Sequence, residues 1–158
     1  MSIRPTLETR AAVPTLEGAG VKLHRAFGFH DPSELDPFLL FDDFRGDTPS
    51  DFEKGFPWHP HRGIETITYI LDGTVTHSDS LGNSGDLNAG DVQWMTAGSG
   101  ILHQEMPTGN AKGQMHGFQL WANLPGSMKM TAPRYQDVTA NDIPTVVDDD
   151  GTSVRIIV

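Results

Sequence analysis

Apolar and polar residues alternate with a period of two along much of this chain, the pattern of half-buried β-strands. VKLHRAFGF (residues 21–29) alternates in this way, and IETITYIL (64–71) does so more regularly. In the latter, Ile64, Thr66, Thr68 and Ile70 share one side, and Glu65, Ile67, Tyr69 and Leu71 the other. Asp72-Gly73 is a favoured hairpin turn, so TVTHSDS (74–80) is predicted to return as the partner strand. Further strands are predicted at Val92–Met95, Leu102–Glu105, 114–122 (QMHGFQLWA) and 154–158 (VRIIV). Residues 1–20 are expected to hold an edge strand, and Pro37–Phe41 a short buried one. Turn signals separate these segments: SLGNSG at 80–85, Gly90-Asp91, the Gly-rich AGSG at 97–100 and Asn123-Leu124-Pro125. No long amphipathic helix and no internal repeat interrupts them. Short strands with regular turns predict an all-β sandwich or barrel. The terminal VRIIV would be an adhesive edge unless it pairs.

Composition narrows the class. A chain of 158 residues suits one domain. The absence of cysteine removes disulfides and thiolate metal sites. No apolar run approaches the roughly 18 residues of a membrane span, and MSIRPTLETR is no secretory signal. A soluble, cytoplasmic protein without membrane contact is expected. Twenty-one Asp and Glu against 11 Lys and Arg leave a net charge of −10, which disfavours direct nucleic-acid binding. Seventeen Gly and 11 Pro fit a turn-rich β protein.

Seven histidines make the His spacing worth reading. In an extended segment, residues i and i+2 point the same way, so His59 and His61 of Trp58-His59-Pro60-His61 aim at one point. His103 and Glu105 form a second such pair. Glu65 shares the parity of His59 and His61 if the strand stays regular, but a bulge at Arg62-Gly63 would break it. Spacing therefore leaves both Glu65 and Glu105 as candidate carboxylates. Three imidazoles and a carboxylate suit iron, nickel, copper, manganese, cobalt or zinc, with positions left open for water or substrate. Arg62 and Gln104 should point away. Trp94 and Met95 are expected in the core, and Phe56, Trp58 and Met106 are candidates to line a pocket. His116 is read as structural or pocket-lining, His77 as exposed, and His24 and His30 as lacking partners at useful spacing.

HPHRGIETITYILDG (59–73), HSDSLGNSGDLNAGDVQWMTAGSGILHQEMP (77–107) and HGFQLWANLP (116–125) resemble the pirin family of the cupin superfamily. LDPFLLFDDF (35–44) resembles the segment before the first histidine motif, and the likeness extends over roughly residues 20–136. It implies a jelly-roll-like, cupin-type β-sandwich barrel. It also implies a metal, foremost iron(II), on the positions matching the family's ligands: His59, His61, His103 and Glu105. Glu65 is left as an outer or structural partner. Pirins usually carry two cupin domains. On this likeness residues 1–153 are an N-terminal cupin domain, and 154–158 resemble the opening strand of a second.

The resemblance implies two functions. One is a flavonol, or quercetin 2,3-, dioxygenase that takes a small aromatic substrate and O2, with Glu105 as general base toward the substrate hydroxyl. The other is a non-catalytic, redox-responsive regulator that binds a partner protein. A barrel that has lost catalysis is a third expectation, and self-association through uncovered apolar surface a fourth.

Overall fold

The computed structural model describes residues 5–6, 8–30 and 35–157. These form β-strands, a 3-10 turn at Pro49–Asp51 and no α-helix. One sheet holds β1 (Val13–Glu17), β2 (Val21–Phe27), β3 (Phe38–Asp43), β5 (Ile64–Asp72), β8 (Val92–Thr96), β10 (His116–Asn123) and β11 (Arg134–Val138). Their order is β1-β2-β3-β10-β5-β8-β11. The second sheet holds β4 (Phe56–His61), β6 (Thr74–Asp79), β7 (Ser84–Asn88) and β9 (Ile101–Thr108), in the order β4-β9-β6-β7. β12 (Thr145–Val147) and β13 (Ser153–Arg155) make a separate ribbon. All pairings are antiparallel. The two sheets face one another as a cupin-type sandwich barrel, as the sequence pattern and the resemblance imply.

The alternation in β5 explains how the barrel closes. Ile70 points inward and is fully buried against Val75 and Leu87 of the facing sheet and Val21, Leu23 and Met115. Ile67 points outward, where Val92, Tyr69, Trp94 and Leu120 extend the apolar face. Ile143 and Ile157 cover part of that face. Arg155 pins this cover by donating to Tyr69 Oη at 3.0 Å and to the Ala140 and Gly90 carbonyls. A central strand is thus apolar on both faces. A third cluster, around Met95, Ala97 and Ile101, closes the other end of the interior.

Three expectations need correction. β6 is not the hairpin partner of β5: β10 and β8 occupy both edges of β5, and β6 pairs with β7 and β9 in the opposite sheet. Asp72-Gly73 is a corner between sheets, with Gly73 at φ +81°. β7, β11 and β12 were not among the predicted strands. SGDLN in β7 has one buried apolar residue, Leu87, so its pattern carries little signal. Finally, the terminal strand covers Ser153–Arg155 rather than 154–158. It pairs with β12, and Val158 lies outside the described residues. No helix among the described residues is long and apolar enough to cross a membrane.

The corner supplies a stability prediction. A Cβ on Gly73 would lie 2.5 Å from Met115 Sδ and 2.7 Å from the Thr108 carbonyl oxygen. Gly82 also has positive φ, but a Cβ there meets nothing within 4 Å. Gly73→Ala should cost about 3 kcal/mol or more, from clash and backbone strain together. Gly82→Ala should cost only about 1 kcal/mol, from the left-handed backbone alone. Urea unfolding of the two variants measures the difference.

Candidate metal centre

Two edge features aim the first histidine pair. β4 is an edge strand, where Pro57 and Pro60 cost no ladder bonds to a further neighbour. Their fixed φ stiffens the segment that carries His59 and His61. β9 lies beside it in a register that sets His59 directly across from His103. Along β9 the odd positions Ile101, His103, Glu105 and Pro107 are buried, and Leu102, Gln104 and Met106 take the other face. The three imidazoles converge, with ring centroids 4.4 Å (His59–His103), 4.8 Å (His59–His61) and 4.9 Å (His61–His103) apart. One ring nitrogen from each lies within 4.8 Å of the others.

The electrostatics favour neutral rings at His61 and His103. Burial, with repulsion from the other two histidines, holds His61 down at about 4, while Glu105 pulls the other way. Burial likewise holds His103 at about 3, helped by His59 and His77 and opposed by Asp79. Neutral imidazoles are the ligating form. His59 Nδ1 sits 2.8 Å from the Pro57 carbonyl oxygen, so that nitrogen donates and Nε2 is left with its lone pair inward, 3.0 Å from His61 Nε2. His103 is 1% exposed, and neither of its nitrogens has a hydrogen-bond partner. An orphaned buried imidazole is costly unless a cation completes it. The donor set therefore fits a divalent transition metal, and among the described residues no other such cluster of His, Asp and Glu occurs.

A cavity of about 480 Å³ opens onto this cluster. His59, His61 and Glu105 line it together with Leu40, Phe44 and Trp121. Phe56 and Trp58 also line it, Trp58 being 54% exposed. Met106 has the outward parity of Gln104 instead.

Glu105 faces the same cavity but stands outside the tight histidine cluster. Gln119 Nε2 donates to its Oε1 at 3.1 Å and its Oε2 at 3.3 Å, and Thr68 Oγ1 lies 3.5 Å from Oε1. Glu65 is on the far face of β5, where its Oε1 accepts from Thr96 Oγ1 at 2.6 Å. Gly63, at φ +69°, resets the alternation between His61 and Glu65, so their shared parity in sequence is lost. Arg62 points outward to Met130, as expected.

One histidine needs reassignment, and a second takes the structural one of its two readings. His77 is not exposed: it is 4% accessible, stacks on Tyr135 at 5.2 Å and lies 2.9 Å from Gln93 Nε2 through Nδ1. The hairpin expected after Asp72 would have put it outside, whereas β6 turns it inward opposite Glu105. His116 does not line the cavity; it sits beside Phe118 with Nε2 3.6 Å from Asp43. Sequence reasoning missed Gln119, Thr68, Gln93 and Asp79. Asp79 lies directly across from His103, and burial together with Asp79 raises the neighbouring Tyr135 hydroxyl. The available signal was a polar residue at inward parity in an apolar strand, as Gln119 is in HGFQLWAN.

A two-sheet antiparallel barrel with three histidines gathered at its cavity defines the cupin class. Residues 20–122 match the Pirin family. A pirin-like protein of Caulobacter vibrioides is 47% identical over 157 residues, which are 99% of this chain and 56% of the relative. The structure of a quercetin 2,3-dioxygenase from Acinetobacter baumannii superposes with a TM-score of 0.81 at 38% identity, covering 94% of this chain and 54% of that one. That of a bacterial pirin from Escherichia coli in complex with nickel(II) gives 0.61 at 30% identity, covering 82% and 56%. The chain belongs to the pirin family. It spans about half the length of these relatives.

The depressed histidines predict a pH dependence in chelator. Unfolded histidine titrates near 6.5, whereas folded His61 and His103 stay neutral to about 4 and about 3. Below about pH 6.5 the unfolded chain binds protons that the folded one refuses, so stability falls as pH drops toward 4. The melting temperature should decline by several degrees between pH 7 and 4.5. A His61→Gln, His103→Gln double variant should show a shallower decline; equal slopes would rule out this source.

Proposed function

We propose that the site holds one divalent transition metal on His59, His61, His103 and Glu105 and serves a flavonol dioxygenase of the quercetin 2,3-dioxygenase type. The observation that carries the reading is the coincidence of two features. Three imidazoles converge, one with both nitrogens buried and unpartnered. Two of them, His59 and His61, line with Glu105 a cavity with largely apolar walls and a size suited to a flat aromatic molecule. Kinship with proteins described as a quercetin 2,3-dioxygenase and as a nickel(II)-bound pirin supports it.

Bound there, a divalent ion supplies Lewis acidity that lowers the pKa of a hydroxyl reaching it. The chain's own residues supply the rest. Leu40, Phe44 and Trp121 provide apolar wall that orients a planar ring and displaces water. Trp58 and Phe56 also line the cavity. Glu105, whose oxygens face the cavity, accepts the substrate hydroxyl proton. Gln119 and Thr68 keep that carboxylate from turning away. Iron is the first metal to try, with nickel next.

Oxygen uptake with quercetin tests the reading. Protein loaded with iron(II) or nickel(II) should consume O2; uptake that stays at the metal-free background with both metals sinks the dioxygenase assignment. Glu105→Gln should cut turnover by about 100-fold or more while retaining much of the metal. Unchanged turnover would remove Glu105 from the role of base.

A further inference from the structure

Glu105 is held by a chain of hydrogen bonds whose direction is forced. The Trp121 indole N–H can only donate, and it donates to Gln119 Oε1 at 2.9 Å. That fixes the Gln119 amide, so its NH2 must face the other way. There it meets both oxygens of Glu105, at 3.1 and 3.3 Å, and Thr68 Oγ1 at 3.1 Å. Trp121 is itself packed against a histidine of the cluster, its ring edge-on to His61 at 4.8 Å, and Phe29 lies against it at 5.8 Å. One side chain thus touches an imidazole and, through Gln119, sets the carboxylate.

The backbone register makes this a built feature. Gln119 and Thr68 are direct cross-strand partners on β10 and β5, while Glu105 reaches them from β9 in the opposite sheet. Glu105 is 6% exposed and Thr68 2%, so bulk water does not substitute for these donors. A glutamate has three rotatable side-chain bonds, and without Gln119 only the longer Thr68 contact at 3.5 Å would restrain it.

We propose that Gln119, oriented by Trp121, is the positioning residue for Glu105: it holds both carboxylate oxygens so that the remaining lone pairs face the histidine cluster. The role rests on the reading of Glu105 as a ligand given above. It is distinct from the ligands themselves and acts only through Glu105. Outer partners of this kind typically affect metal affinity by about 10- to 100-fold.

The test uses cobalt(II) as the probe, read by its visible d–d absorption and by competition with a chelator. Gln119→Leu keeps most of the side-chain volume and removes the donors. It should shift the cobalt spectrum in the direction of Glu105→Gln and weaken cobalt binding by about tenfold. Trp121→Phe keeps an aromatic ring against His61 and removes the N–H that fixes the amide. It should give the same spectral change at smaller amplitude, and it carries the test if Gln119→Leu does not fold. A merely structural role would lower the melting temperature of either variant without altering the spectrum. Wild-type spectrum and affinity in folded Gln119→Leu, or in Trp121→Phe where the first is unfolded, would overturn the proposal. If Glu105→Gln itself has the wild-type spectrum, the reading of Glu105 as a ligand fails, and this proposal with it. A change in Glu105→Gln but in neither outer variant overturns the positioning role alone.

Discussion

The antiparallel register of β4 on β9 is the constraint on which the rest of the site depends. It sets His59 opposite His103, and the two-residue alternation of each strand then adds His61 and Glu105 to the same inward face. A slip of either strand by one residue would send its own pair of these side chains to the other face. The pairing also buries His61 and His103, where protonation is doubly penalised, by desolvation and by neighbouring histidines. Close packing of basic groups is tolerable because these two rings stay neutral, and that same state leaves nitrogen lone pairs for a cation.

Around this pairing the interior is layered. At one level, consecutive strands of the larger sheet contribute Arg25, Asp42, Gln119, Thr68 and Gln93, each across from the next. Glu105 and His77 meet that level from the smaller sheet, directly opposite one another. Polar groups so enclosed must satisfy each other. Arg25 grips Asp42 through two bonds of 2.7 Å, Gln119 serves Glu105 and Thr68, and Gln93 reaches His77. Apolar clusters close the barrel on either side of this belt, around Ile70 and around Met95. The cavity lies where belt and apolar walls meet, so Arg25, Asp42, Gln119 and Glu105 share its lining with Leu23, Leu40 and Phe44.

Much of this organisation is written in local pattern. The alternation in IETITYIL, the His-x-His and His-x-Glu pairs and the punctuating glycines report short-range geometry, because side-chain direction in a strand depends only on position parity. The all-β class, the main strands and the three-histidine cluster were legible for that reason. The failures share a cause as well. Asp72-Gly73 reads as a hairpin because turn chemistry is local, but which strand accepts β6 depends on both edges of β5 already being filled by β10 and β8. His77 was misplaced by the same step.

Parity also has a range, and Gly63 marks its end. Its positive φ resets the alternation, which separates Glu65 from the histidines whose sequence parity it shares. By itself the sequence determined which residues have the chemistry and which near neighbours share a face, since both are properties of residue type and extended backbone. Only the tertiary structure decided which faces meet. It brought Gln119 to Glu105 and Asp79 across from His103, and it turned Glu65 outward, because strand pairing between distant segments is settled by the packing of the whole barrel and not by any one strand.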